Sequence, residues 1–374
     1  MIAEQVQRLF REAGITINGD APWDIRVHDD RFYSRLVRER SLGLGESYMD
    51  GWWDCDAMDE MIRRLLLSDI ARRVPSGLSE KMRFLPGYLF NLQSLRRARA
   101  VAQHHYNLDH ALFYSFLDPY RQYSCAFFDH TDDLAQAQQN KLALIAAKLD
   151  LQPTDHLLDI GCGWGGLARY CAEHHGCTVT GINISTAQLK EAESFCRGWP
   201  VHVYNRDYRL IDGQFDKIVS VGMFEHVGCK NYRTFMDVAH RSLKNDGIFL
   251  LHTIGRNTSA HYADPWLTKY IFPNSMLPSL QQISDAIEDL FIIEDVHNFG
   301  PHYDKTLMAW HANFLHAWPT LAHKYDERFK RMWTYYLLSC AGAFRARTIQ
   351  LWQIVMTREG SGSPQPPRMR ARPF

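Results

Sequence analysis

HLLDIGCGWGGLARYCAEHH, residues 156–175, decides the fold. An apolar run of strand length leads into glycines at 161, 163 and 166, and helix-forming residues follow at once. Read as G-x-G-x-x-G between a strand and a helix, the stretch lets backbone turn tightly and approach a ligand. The N–H groups of the helix start then face that ligand.

Working outward, strand and helix patterns alternate. DHLLDI is followed by GLARYCAEHH, CTVTGINIS by TAQLKEAESFCRG, and VHVYNRD and FDKIVSVG by NYRTFMDVAHRSL. GIFLLHTIG is a fifth strand, and LFIIEDVHNFG and IQLWQIVMTR are two more. The near-continuous apolar strands predict a parallel sheet with helices on both faces. Helices are also expected at about 279–289 and 305–345.

The remaining chain bounds the class. Its 374 residues are 46% apolar and 22% charged, enough for a large core, with Lys+Arg and Asp+Glu balanced at 42 each. That balance gives no nucleic-acid signature. Eight cysteines include no C-x-x-C pair, so a zinc ribbon is not expected and the thiols read as reduced and cytosolic. No apolar run reaches the ~18–20 residues of a membrane span. Residues 61–100 hold nine basic side chains (Arg63, Arg64, Arg72, Arg73, Lys81, Arg83, Arg96, Arg97, Arg99) against Asp69 and Glu80. That segment is either a solvated face or a dock for anionic lipid. The expected organisation is a mostly helical domain at 1–85, a linker at 86–104, a catalytic domain at 105–357 and a basic, disordered tail at 358–374.

What surrounds the glycines separates the ligand classes. A dinucleotide site expects a carboxylate about 20 residues on, at the end of the second strand; Asn183 stands there. Asp159 instead precedes the loop, and D-x-G-x-G-x-G resembles the first motif of S-adenosylmethionine-dependent methyltransferases. The resemblance implies a class I fold: a Rossmann-like seven-stranded sheet, helices on both faces, with the smaller helical domain added in front. It also implies that Asp159 orients the methionine amino group and that Asp207, after the third strand, lies where adenine is held.

Four polar residues interrupt apolar or aromatic stretches: Cys125, Glu225, His252 and Tyr303. The last three follow expected strands and should reach one rim of the sheet, where a Glu and a His could do acid–base work. A buried core thiol, a helix cap and a satisfied core histidine would explain them as well, and the spacing neither supports nor excludes a metal.

SLGLGESYMDGWW, QYSCAFF, LLDIGCGWGGLA, VSVGMFEHVG, GIFLLHTIG, WLTKYIFPN, TLMAWHANFL, CAGAFRAR and IQLWQ, in that order, together resemble the cyclopropane-fatty-acyl-phospholipid synthase family, over about residues 10–357. The resemblance implies that the methyl of S-adenosylmethionine becomes the bridging methylene across a cis double bond of a phospholipid acyl chain, with bicarbonate as base. Cys125, Glu225, His252, the Ile254 backbone and Tyr303 would hold the bicarbonate. Tyr123, Ser124, Asp159, Gly161, Gly163, Gly165, Gly166, Asn183, Ser185, Gln188, Asp207 and Tyr208 would line the cofactor. The implied protein is a cytoplasmic homodimer visiting the inner membrane face, with no metal. One segment departs from the family pattern HYDxGNDLF: residues 105–113 read HYNLDHALF, with Asn107, Asp109, His110 and Ala111 substituted.

Overall fold

The computed structural model describes residues 2–68, 93, 110–260 and 262–360. The chain packs as two units. One comprises Met1–Leu89, Tyr262–Pro273 and Tyr303–Ile349; the other comprises Phe90–His261, Asn274–His302 and Gln350–Phe374. The expected division near residue 105 differs, because 262–273 and 303–349 pack with the N-terminal residues. Apart from Gln93, the expected linker lies outside the described residues, as do 105–109 and 361–374.

The first unit is helical, with one short antiparallel pair, β1 (Arg26–Val27) and β2 (Trp53–Asp54). Helix Ile2–Glu12 buries Val6 and Phe10, one turn apart, and turns its charges outward. Helix Ser41–Met49 is buried along nearly its whole length. Its glycines serve close approach: a Cβ at Gly43 would lie 2.6 Å from the Arg35 carbonyl oxygen, and one at Gly45 2.4 Å from the Trp266 ring. Buried charge ties the separate segments together. Glu46 accepts from Lys269 Nζ at 2.5 Å and Tyr270 Oη at 2.8 Å, and pairs with Arg35. Arg345 bridges Asp304 and Asp59, and Arg331 reaches Asp54 at 2.8 Å. The helix expected over 305–345 is two helices, Gly300–Leu321 and Glu327–Arg345. The second restarts where the Asp326 side chain caps the Phe329 N–H at 2.8 Å.

The second unit holds a seven-stranded sheet: β3 (His156–Ile160), β4 (Thr178–Asn183), β5 (Val201–Asn205), β6 (Phe215–Val221), β7 (Leu243–Arg256), β8 (Phe291–Asn298) and β9 (Ile349–Arg358), in the order β5-β4-β3-β6-β7-β9-β8. β5, β4, β3, β6 and β7 are parallel, and β8 runs antiparallel to β9. Successive strand residues point to opposite faces. Leu157, Val219, Leu250 and Val355 therefore pack with helices Leu134–Lys148 and Gly166–His175. Their neighbours Leu158, Ile218, Leu251 and Ile354 pack with helices Tyr232–Ser242 and Leu280–Ile287. Two covered faces explain the unbroken apolar runs. β9 continues through Arg358, opposite Phe291, so the tail begins later than expected. The strand order reverses between β3 and β6, which opens a crevice at their carboxyl ends.

Gly45→Ala is expected to cost about 1–3 kcal/mol through overpacking against Trp266, read as a lowered melting temperature. An unchanged melting curve would contradict the close helix contact.

Candidate active site

Asp159 is the last residue but one of β3, between Gly181 and Val219 of the flanking strands, and the chain then turns through the glycines. Gly161, Gly163 and Gly165 have φ of 91°, 55° and 82°, a region L side chains avoid. Gly165 thus supplies the third left-handed turn and precedes helix Gly166–His175. Gly166 is constrained by its surroundings instead. Its Cβ would fall 1.7 Å from the Tyr120 carbonyl oxygen and 2.4 Å from Gln122 Nε2. The literal G-x-G-x-x-G spacing therefore mixes two requirements, turning and close packing.

The end of β4 is stitched to this loop. Asn183 Nδ2 donates to Gln188 Oε1 at 2.8 Å and lies 3.5 Å from the Gly163 carbonyl oxygen. Ser185 caps the next helix by accepting from the Gln188 N–H at 3.3 Å. Asp207 is buried and accepts from the Arg209 backbone N–H at 3.0 Å, and from its guanidinium at 2.8 and 3.0 Å. The Tyr208 side chain enters the core against Phe235. Trp164, in the loop, donates from Nε1 to His110 Nδ1 at 3.1 Å and packs near Tyr123. The altered segment thereby touches the glycine loop directly.

Glu225 and His252 meet the loop from the other side of the crevice. His252 pairs with Val221 across β6 and β7, and its carbonyl accepts from the Gly222 N–H at 2.9 Å. A Cβ on Gly161 would come within 2.7 Å of Met223, two residues before Glu225. Glu225 Oε1 accepts from the Ile254 N–H at 2.6 Å. Cys125 is buried beside this edge: the preceding residue, Ser124, packs over Gly222. Glu225, His252 and Ile254 thus share the carboxyl end of β7. Tyr303 belongs to the first unit, at the start of helix Gly300–Leu321, stacked on Phe344 at 4.6 Å.

Burial sets the charges. Asp159 is 2% exposed and Glu225 5%, and desolvation pushes each carboxyl up to about 7. Asp159 Oδ2, Glu225 Oε2 and His252 Nε2 have no hydrogen-bond partner among the described residues. Burial, reinforced by Lys141 and Lys148, holds His252 well below the ordinary imidazole range, so the ring is neutral. A buried carboxylate oxygen with no partner, beside a glycine turn and a helix start, suits the ammonium of S-adenosylmethionine. A buried pair of unpartnered acid and imidazole atoms suits a small oxyanion. Among the described residues no group of three metal-ligating side chains occurs.

Three buried polar residues of this region escape a motif reading: Gln138 and Lys141 in helix Leu134–Lys148, and Gln353 in β9. Gln353 Nε2 lies 3.3 Å from His252 Nδ1. Their one signal is positional, since Gln138 and Lys141 share a helix face with Leu134, Leu142 and Ile145.

Sheet order, glycine turn and preceding acid together define an α/β S-adenosylmethionine-dependent methyltransferase. A structure of the mycolic acid cyclopropane synthase CmaA1, complexed with SAH and CTAB, covers 70% of this chain and 98% of its own, with a TM-score of 0.65 and 32% identity. The chain belongs to the mycolic acid cyclopropane synthetase family, whose model matches residues 93–354. It is 53% identical over 350 residues to the cyclopropane-fatty-acyl-phospholipid synthase of Escherichia coli K12, covering 94% of this chain and 92% of that one. Coclaurine N-methyltransferase, at 20% identity and a TM-score of 0.69 over 84% of the chain, shares the fold.

Gly166→Ala is expected to leave a folded protein whose S-adenosylhomocysteine affinity falls about tenfold or more, because the added methyl displaces Tyr120 from the loop. Calorimetry giving wild-type affinity would show that the 1.7 Å approach does not shape the cofactor site.

Proposed function

We propose that this enzyme transfers the methyl group of S-adenosylmethionine to the cis double bond of unsaturated acyl chains in membrane phospholipids and closes a cyclopropane ring, with bicarbonate as the base. The carrying observation is the buried cradle. Glu225 has one oxygen committed to the Ile254 N–H and the other unpartnered among the described residues, beside a neutral His252 with an unpartnered Nε2. The 53% identity to the E. coli synthase supports the substrate class.

Bound S-adenosylmethionine supplies an electrophilic methyl group. The electron pair of the alkene would form the new C–CH₃ bond as the methyl–sulfur bond breaks, its electron pair returning to sulfur to release S-adenosylhomocysteine and leaving a carbocation on the acyl chain. A proton of that methyl passes to bicarbonate, and its C–H electron pair closes the ring. Residues of this chain make the second step possible. Glu225 Oε2, when ionised, accepts the hydroxyl of the anion, and a ring N–H of His252 donates to its oxygens. The cation is so acidic that placement of the base matters more than its strength. Water must be excluded, or the cation becomes an alcohol. Buried Cys125, Ala126, Phe127 and Phe128 are the apolar residues that would help to keep water out.

The substrate puts the enzyme at the cytosolic face of a bilayer as a peripheral protein, and the family resemblance suggests a homodimer. Among the described residues no helix is long and apolar enough to cross a membrane. Arg63 and Arg64 are both engaged by Glu60, and Arg64 also covers the Trp23 ring at 3.9 Å. Lipid docking by the basic cluster would therefore fall to its remaining members, which lie outside the described residues.

Incubation with methyl-labelled S-adenosylmethionine and unsaturated phospholipid vesicles should yield lipid heavier by one CH₂ and lacking the olefin. A methyl-branched or hydroxylated product by mass spectrometry would replace this reading. Glu225→Gln should lower turnover by about 10²–10⁴-fold while S-adenosylhomocysteine affinity stays near wild type. Equal loss of both would remove Glu225 from the cradle. Bicarbonate depletion of the assay buffer should slow turnover, and added bicarbonate should restore it. Turnover indifferent to bicarbonate would eliminate it as base.

A further inference from the structure

Lys141 is wholly buried in helix Leu134–Lys148. Its Nζ donates to Gln122 Oε1 at 2.5 Å and to Ser124 Oγ at 3.1 Å. Gln138, one turn earlier, donates to the Ser124 carbonyl at 2.9 Å. Asp118 completes the cage by accepting from the Gln122 N–H and the Tyr120 N–H, both at 2.8 Å. Residues 118–124 are thus gripped by a buried polar network anchored on this helix. The atoms that bear on Gly166, the Tyr120 carbonyl oxygen and Gln122 Nε2, belong to the gripped segment.

A buried ammonium whose hydrogen-bond acceptors are a neutral amide and a hydroxyl is costly, and a methionine would fill the space without that cost. Its use has to lie in its charge. The groups that act on it electrostatically are Asp118, Cys125 and Asp159, and it in turn acts on His252 together with Lys148. Asp159 is the carboxylate with an unpartnered oxygen at the glycine turn.

We propose that Lys141 is a positioning residue for S-adenosylmethionine, clamping the Gln122–Ser124 segment onto the glycine loop and setting a buried positive charge on the side of Asp159, the partner of the ligand's ammonium. The proposal rests on the reading of Asp159 as the ammonium partner. Burial pushes Asp159 up to about 7, and the charge on Lys141 opposes that rise. Burial also brings Lys141 down to about 8, so it is mostly charged at neutral pH. Removing it leaves burial unopposed, and Asp159 then ionises only at higher pH.

The test is calorimetric binding of S-adenosylhomocysteine to the full chain between about pH 5.5 and 8, a range spanning the carboxyl and below the ligand amine. Wild-type affinity should climb through about pH 7. Lys141→Met should move that limb upward by roughly one pH unit and weaken binding at pH 7 about fivefold. Lys141→Arg should keep the limb near wild type. Should the methionine variant not fold, Lys141→Gln, which retains a polar group without charge, is expected to show the same displaced limb. A uniform loss of affinity with an unmoved limb would mean that Lys141 only packs, and unchanged binding would remove it from the site. Asp159→Asn separates the two readings. If it binds with wild-type affinity and an unaltered limb, the ammonium assignment has failed. If it flattens the limb while Lys141→Met leaves the limb in place, only the lysine proposal has failed.

Discussion

A parallel strand covered on both faces has a largely apolar interior and offers its reactive groups mainly at its ends. In this sheet the interiors of β3, β6 and β7 are filled by Leu157, Leu158, Ile218, Val219, Leu250 and Leu251. The chemistry is thereby confined to the carboxyl edge: Asp159 near the end of β3, Glu225 just past β6, and His252 with Ile254 on the last part of β7. Reversal of strand order between β3 and β6 parts the loops that follow them and leaves a crevice between the two acids. Every site residue in this unit is placed by that edge or by the segment packed over it.

Much of this was legible in the residues. The seven strands and their helices could be read because two-sided burial writes continuous apolar runs between turn signals. Asp159 and the glycines could be read because tight turning and ligand approach restrict residue type. Glu225 and His252 stood out as polar breaks at strand ends. What was not legible depends on distant partners. Gly166 looks like a third turn glycine, yet its constraint comes from Tyr120, 46 residues earlier in the chain. Lys141 and Gln138 fall on the apolar face of their helix, but what they grip there is 14 to 19 residues away in the chain and leaves no local pattern. The unit boundary was misplaced because the link between Glu46 and Lys269 is a long-range ion pair with no local signature.

The site is also unusual in how its charge is held. Asp159 and Glu225 are each brought to about 7, Lys141 to about 8, and His252 well below its ordinary range. Burial drives all four toward neutrality. Such a site holds its carboxyls only partly ionised when it is empty. It becomes charged in response to a ligand whose own charge supplies the missing partner. That would suit the proposed reaction, in which a permanently ionised carboxylate beside the substrate could trap a cationic intermediate.

The same burial bears on stability. For Asp159 and Glu225 the folded-state value of about 7 lies above that of an unfolded carboxyl, near 4. The favourable contribution is therefore complete below the unfolded value and is lost as pH rises through the folded one. At neutral pH the ligand-free fold bears the cost of two carboxyls that are half ionised in an apolar setting. An ammonium bound at Asp159 lowers that carboxyl's value again, so binding and folding stability draw on one interaction. Asp159 is thus a weak point of the ligand-free fold, and the charge on buried Lys141 opposes the rise that burial imposes on it.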